Sequence, residues 1–133
     1  MALIFVADDS STVRAVLSAM LQKHGHSVVE ACDGNDCIAQ FSNGCPDLVI
    51  TDIFMPEKDG IETIVHIRRT WPQVKILAIS GGGAEQDMRY LGYAKALGAD
   101  DTLSKPLEIN RLIDTVSGLL PAALATLPEL GAG

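Results

Sequence analysis

A chain of 133 residues that is 47% hydrophobic is long enough for one domain with a buried core. Its net charge of −7 argues against nucleic-acid binding, which needs clustered Lys and Arg, and against docking on an anionic membrane surface. The cysteines Cys32, Cys37 and Cys45 are odd in number and lack C-x-x-C spacing, so free thiols in a reducing compartment are expected rather than disulfides or a zinc site.

The first apolar run, "LIFVA" (3–7), is followed by two aspartates. It is too short, and lacks the basic flank, for a signal peptide, and no apolar run approaches a membrane span; a cytoplasmic protein is expected. Next comes "SSTVRAVLSAMLQKHG" (10–25). It places Val13, Val16, Leu17, Met20 and Leu21 on one helical face, with Ser10 or Ser11 as cap and Gly25 as stop. A second strand is expected at "SVVEA" (27–31), a third at "DLVIT" (47–51), a fourth at "VKILAIS" (74–80) and a weaker fifth at "DTLS" (101–104). Helices are expected near 34–43, 60–70 and 84–97, and after Pro106 on the repeat Ile109, Leu112, Ile113, Val116. "CDG" (32–34), "KDG" (58–60) and "LGA" (97–99) read as turns or caps. Five βα units with near-continuous apolar strands imply an α/β fold whose parallel sheet is covered on both faces. "LPAALATLPELGAG" (120–133) is a shift in composition, broken by Pro121 and Pro128, and reads as a poorly ordered tail; a docking segment for a second copy is the sharper alternative.

The polar residues at strand ends carry the chemistry. Asp8 and Asp9 follow the first strand, Asp52 the third, Ser80 ends the fourth and Lys105 follows the fifth. Asp52 comes about two βα units after Asp9, and Ser80 and Lys105 each about one unit later. All five therefore fall on the carboxyl edge of the sheet, where open parallel sheets bind ligands. Carboxylates brought together repel, and a hard divalent cation such as Mg²⁺ resolves the conflict through oxygen ligands. A lysine and a hydroxyl beside such a cation suit a phosphoryl group, and Asp52 is then a candidate nucleophile forming an acyl phosphate. Taken singly, each residue has a plainer reading: Asp8-Asp9 as a helix cap, Ser80 as a strand end, and "SGGGAE" (80–85) as a flexible loop. Their joint recurrence at βα spacing is what points to a site.

"ADDSSTVRAVLSAML", "EACDGNDCI", "PDLVITDIFMPEKDGIETI", "ILAISG" and "ALGADDTLSKPL" together resemble the receiver domain of two-component response regulators, the CheY-like family, over about residues 3–118. The resemblance implies a doubly wound (βα)5 fold with strand order 2-1-3-4-5, a receiver spanning 1–119 and a tail at 120–133. It implies Asp52 as phospho-acceptor, with Ser80 and Lys105 contacting the phosphoryl group. Mg²⁺ would be held by Asp9, Asp52 and the carbonyl of Phe54, with Asp8 acting through water. Met55-Pro56 would stiffen the loop presenting Phe54, and Lys105–Pro106 would be a cis peptide. The implied role is self-catalysed phosphotransfer rather than turnover. Implied partners are a histidine kinase or histidine phosphotransfer protein and a downstream protein target, with helix 4, strand 5 and helix 5 as a homodimer surface.

Thr102 departs from the pattern, since the family's switch aromatic lies three residues before the lysine. Phe54 stands where the family is often polar and would shield the phosphoryl group from water. The reading is a stand-alone receiver. A phosphorylation-independent interaction module with a residual acidic site is the alternative. A flavodoxin-like nucleotide or flavin binder is disfavoured by crowded carboxylates and the missing G-x-G-x-x-G.

Overall fold

The computed structural model describes residues 2–53, 60–81 and 84–121, with side chains from residue 91 onward in the last segment. Five strands, β1 (Leu3–Ala7), β2 (Ser27–Ala31), β3 (Leu48–Asp52), β4 (Lys75–Ser80) and β5 (Asp101–Ser104), alternate with helices α1 (Ser11–Lys23), α2 (Gly34–Gln40), α3 (Gly60–Thr70), α4 (Ala84–Leu97) and α5 (Ile109–Leu119). All pairings are parallel, in the order β2-β1-β3-β4-β5. This is the expected doubly wound (βα)5 architecture.

Period-two alternation divides β1 to β4 between two cores. Phe5, Val49 and Ile76 point to a layer closed by Cys37 of α2, Ile64 and Ile67 of α3, and Leu91 and Ala94 of α4. Ile4, Val6, Ile50 and Leu77 point to the other, closed by Leu17 and Leu21 of α1 and by Leu112 and Val116 of α5. Every residue of the central strand β3 is buried, whereas the edge strand β2 exposes Ser27 and Glu30.

Four local departures from the sequence expectation have physical causes. Strand β3 starts one residue late because Asp47 bridges instead: its carboxylate accepts the Leu3 N–H at 2.9 Å. The shift makes Asp52 the last residue of the strand. Strand β4 likewise starts at Lys75, since Val74 closes a turn by donating its N–H to the Trp71 carbonyl. The helix expected to 43 ends at Gln40 and gives way to a 3₁₀ turn, Phe41–Asn43. There Phe41 stacks on Trp71, with ring centroids 3.9 Å apart, and meets Phe5 edge-on at 5.2 Å. In α1, capped by Ser10 as expected, Val16 lies off the core face at 48% exposure, and Ser18 is buried instead. The tail from 122 onward lies outside the described residues.

The amino edge of the sheet is tied by one side chain. Arg68, in the last turn of α3, donates to the Gly98 carbonyl from Nε (3.0 Å) and Nη2 (2.7 Å). Its Nη1 reaches the carbonyls of Pro72 (2.8 Å) and Val74 (2.9 Å), and Nη2 also pairs with Asp100 at 2.6 Å. Asp100 in turn accepts the Ile76 N–H at 2.8 Å, so α3, the start of β4 and the turn before β5 share one guanidinium. Arg68→Ala is expected to lower unfolding free energy by about 2–3 kcal/mol, the scale of charge-assisted hydrogen bonds lost from carbonyls left behind. The exposed Arg69→Ala should change it by less than about 0.5 kcal/mol. Urea midpoints at unchanged slope measure both.

Candidate functional site

The parallel register brings the strand ends together. Ala7 of β1 is level with Thr51 of β3, so Asp8 and Asp52 emerge side by side. Asp52 pairs with Ile79 and Ser80 with Ser104, which places Lys105 just beyond the same edge. One carboxylate oxygen from each of Asp8, Asp9 and Asp52 lies within 4.8 Å of the others. Asp8 and Asp52 are buried and Asp9 is exposed.

Asp8 is held on all sides. Its N–H donates to the Ala31 carbonyl at 3.1 Å, Oδ1 accepts the Ser10 N–H at 2.9 Å, and Oδ2 accepts Lys105 Nζ at 2.9 Å. Lys105 Nζ also lies 3.6 Å from Asp52 Oδ2. Burial by itself would lower the Lys105 pKa. The hydrogen bond that Lys105 donates to Asp8 and the charges of Asp52 and Asp8 outweigh it and raise the pKa above the ordinary lysine value. The ammonium is therefore charged at neutral pH. The Lys105 N–H donates to the Ser80 carbonyl at 2.6 Å, and Lys105–Pro106 is a cis peptide. Ser80 Oγ is buried with no hydrogen-bond partner among the described residues, a cost that a ligand oxygen would remove.

Two glycines that the sequence marked only as turn or loop residues prove to be contact points. A Cβ on Gly60 would fall on the Asp52 carbonyl oxygen, so α3 starts hard against the acceptor strand. A Cβ on Gly81 would come within 2.6 Å of Lys105 Cδ and 2.9 Å of its Cβ, so the lysine stem runs through space that only glycine leaves open. Asp8, Asp9, Asp52, Ser80 and Lys105 thus converge as their spacing implied. Phe54, with Met55 and Pro56, lies outside the described residues, as do Gly82 and Gly83.

Residues 4–117 match the family description "Response regulator receiver domain". The chain belongs to this family. Among its relatives, Protein PilH of Pseudomonas aeruginosa is 34% identical over 120 residues, covering 90% of this chain and 98% of PilH. The Regulator of RpoS of Escherichia coli K12 is 34% identical over 118 residues, 88% of this chain, but this chain spans only 34% of that protein's length. Of solved structures, Vibrio cholerae CheY4 superposes with a TM-score of 0.80 at 29% identity, covering 90% of this chain and 99% of CheY4. A receiver domain from Clostridium thermocellum superposes with a TM-score of 0.83 at 27% identity, covering 90% and 94%.

In this receiver domain Thr102 lines a groove of about 460 Å³ over β5, between Leu91, Gly92 and Lys95 of α4 and Arg111 of α5. The groove lies open where an aromatic at 102 would bring a ring.

The raised Lys105 pKa makes a signed prediction. Its stabilising contribution is complete below the ordinary lysine value of about 10.5 and is lost as pH rises through the higher folded value. In metal-free buffer, the urea midpoint of the wild type should fall more steeply above that pH than the midpoint of Lys105→Met. Parallel alkaline profiles would show that the lysine draws no stability from the two carboxylates.

Proposed function

We propose that this receiver domain accepts a phosphoryl group on Asp52 from a phosphohistidine of a sensor kinase or phosphotransfer protein, in a Mg²⁺-dependent reaction in the cytoplasm, and signals by protein contacts. The observation that carries the reading is the convergence of three carboxylates within 4.8 Å with a lysine bridging two of them. Hard oxygen donors in such a cluster suit Mg²⁺. The Asp8 oxygens already accept Ser10 and Lys105, which supports Asp9 and Asp52 as the direct ligands and Asp8 as a ligand through water, with the Phe54 carbonyl completing the set. The reading of a receiver that signals by protein contacts is supported by the likeness to PilH, of which the match covers 98%.

The chemistry a bound Mg²⁺ supplies is neutralisation of charge on phosphoryl oxygens. The chain's own groups do the rest. A carboxylate oxygen of Asp52 attacks phosphorus in line as the P–N bond breaks. The electron pair leaves with the imidazole, which keeps or regains its proton from water. Lys105, already 3.6 Å from Asp52, pairs with one phosphoryl oxygen, and Ser80 Oγ donates to another and so gains its missing partner. Hydrolysis of the acyl phosphate by water returns the carboxylate and releases phosphate. The output is a change of surface, read by a downstream protein or a second copy at α4, β5 and α5. No described helix is long and apolar enough to cross a membrane.

Incubation with a small phosphodonor and Mg²⁺, followed by intact mass and site mapping, should show one modification on Asp52, absent in Asp52→Asn. Full labelling of that variant would sink the assignment and favour the phosphorylation-independent module. Calorimetric titration should find that Asp9→Ala weakens Mg²⁺ more than Asp8→Ala; equal or reversed losses count against the ligand order. For Phe54→Asn, phospho-protein should decay about tenfold faster after donor removal, the loss of a shield worth about 1.4 kcal/mol.

A further inference from the structure

Ser18 is a buried polar side chain on a helix face that should be apolar, and the phosphoryl site makes no use of it. Its Oγ donates to Glu30 Oε2 at 3.1 Å. One turn earlier on α1, Arg14 donates from Nε to Glu30 Oε1 at 3.2 Å. The two α1 side chains sit four residues apart, on the same face of the helix, and grip both oxygens of one carboxylate on β2. The other end of the guanidinium then has a fixed direction. Arg14 Nη1 donates to the backbone carbonyl of Asp8 at 2.7 Å.

That carbonyl belongs to the peptide unit that joins Asp8 to Asp9. Its orientation sets where the Asp9 side chain leaves the backbone. Asp9 itself is exposed, and its carboxylate makes no hydrogen bond or ion pair among the described residues, so nothing else on the side chain aims it. Both backbone handles of Asp8 lead to the end of β2: the N–H directly to Ala31, the carbonyl through Arg14 to Glu30. With Arg14 only 18% exposed, water competes little for the bond to the carbonyl.

We infer that Arg14 is a positioning residue for the metal site: through Glu30 and Ser18 it locks the Asp8–Asp9 peptide and thereby aims Asp9 at the position shared with Asp52. The inference rests on the reading of Asp8, Asp9 and Asp52 as a Mg²⁺ site. Partners that orient metal ligands are commonly worth tenfold or more in affinity.

The test is calorimetric Mg²⁺ titration of the full chain as wild type, Arg14→Ala, Arg14→Lys and Glu30→Gln, with urea midpoints in metal-free buffer. Arg14→Ala should bind Mg²⁺ about tenfold more weakly. Arg14→Lys should recover part of the loss, and Glu30→Gln should lose about threefold, since the amide still accepts one bond but no longer holds the guanidinium by charge. Labelling of Asp52 by a phosphodonor should be slowed in Arg14→Ala at low Mg²⁺ and restored by high Mg²⁺, a rescue that general loosening of the fold would not give. Wild-type Mg²⁺ affinity in a folded Arg14→Ala overturns the inference alone. If Arg14→Ala does not fold, wild-type affinity in Glu30→Gln does the same. Absence of Mg²⁺ binding by the wild type overturns the metal reading and this inference with it.

Discussion

The mutual repulsion of Asp8, Asp9 and Asp52 is the constraint on which the rest of the structure depends. Unit charges about 5 Å apart interact by roughly 3 kcal/mol at the effective dielectric of a protein surface. Whole domains of this size are stable by only about 5–15 kcal/mol. Two of the three carboxylates are buried, so water relieves little of the cost. Among the described residues Lys105 is the cation that meets them, and much of the local architecture serves to hold it there. Its N–H is bonded to the Ser80 carbonyl, its stem passes over Gly81, and its ammonium touches Asp8 and Asp52. One lysine among three carboxylates still leaves the cluster net negative, which is the electrostatic condition for taking up a divalent cation.

The fold bears this cost by separating its two edges. At the amino edge, Arg68 gathers three carbonyls from two turns and Asp47 ties β3 to β1, so polar groups there are matched to each other. At the carboxyl edge, among the described residues, Ser80 Oγ is buried without such a match and three carboxylates face one cation. Between the edges lie two apolar layers, contributed by opposite faces of the sheet, with β5 adding Leu103 to one of them. Burial at roughly 25 cal/mol per Å² in those layers supplies the stability that the carboxyl edge consumes. A parallel sheet makes this division natural, because every strand delivers its last residue to the same side.

Much of this was legible in the chain, because the signals were local or strictly periodic. Apolar runs of strand length, separated by helical periods, marked all five βα units, and the polar residues at or just after the ends of four of those runs marked the candidate site. What escaped depends on contacts across long sequence separations. Phe41 ends its helix early to reach Trp71 and Phe5, neither of which a helical period can reveal. Val16 fits the apolar repeat yet lies outside the width of the buried face, and Ser18 breaks the repeat because Glu30 waits on the neighbouring strand β2. Gly60 and Gly81 looked like turn and loop residues. Their role is set by the Asp52 carbonyl and the Lys105 stem, which occupy the space a side chain would need.

Thr102 raises the question of how a change at Asp52 would be felt at the surface. The site and the groove over β5 share a wall. Lys105 belongs to the first and Pro106, its covalent neighbour, to the second, together with Ser104 and Thr102. Ser80 is tied to the same wall by its carbonyl bond to Lys105. A small residue at 102 leaves no ring to swing, but it leaves the backbone path from Ser80 through Lys105 to Pro106 intact. The β4–β5 hydrogen bond from Lys105 to Ser80 and the Lys105–Pro106 peptide thus link the acidic cluster to the groove rimmed by Lys95 and Arg111, with no aromatic side chain at 102 between them.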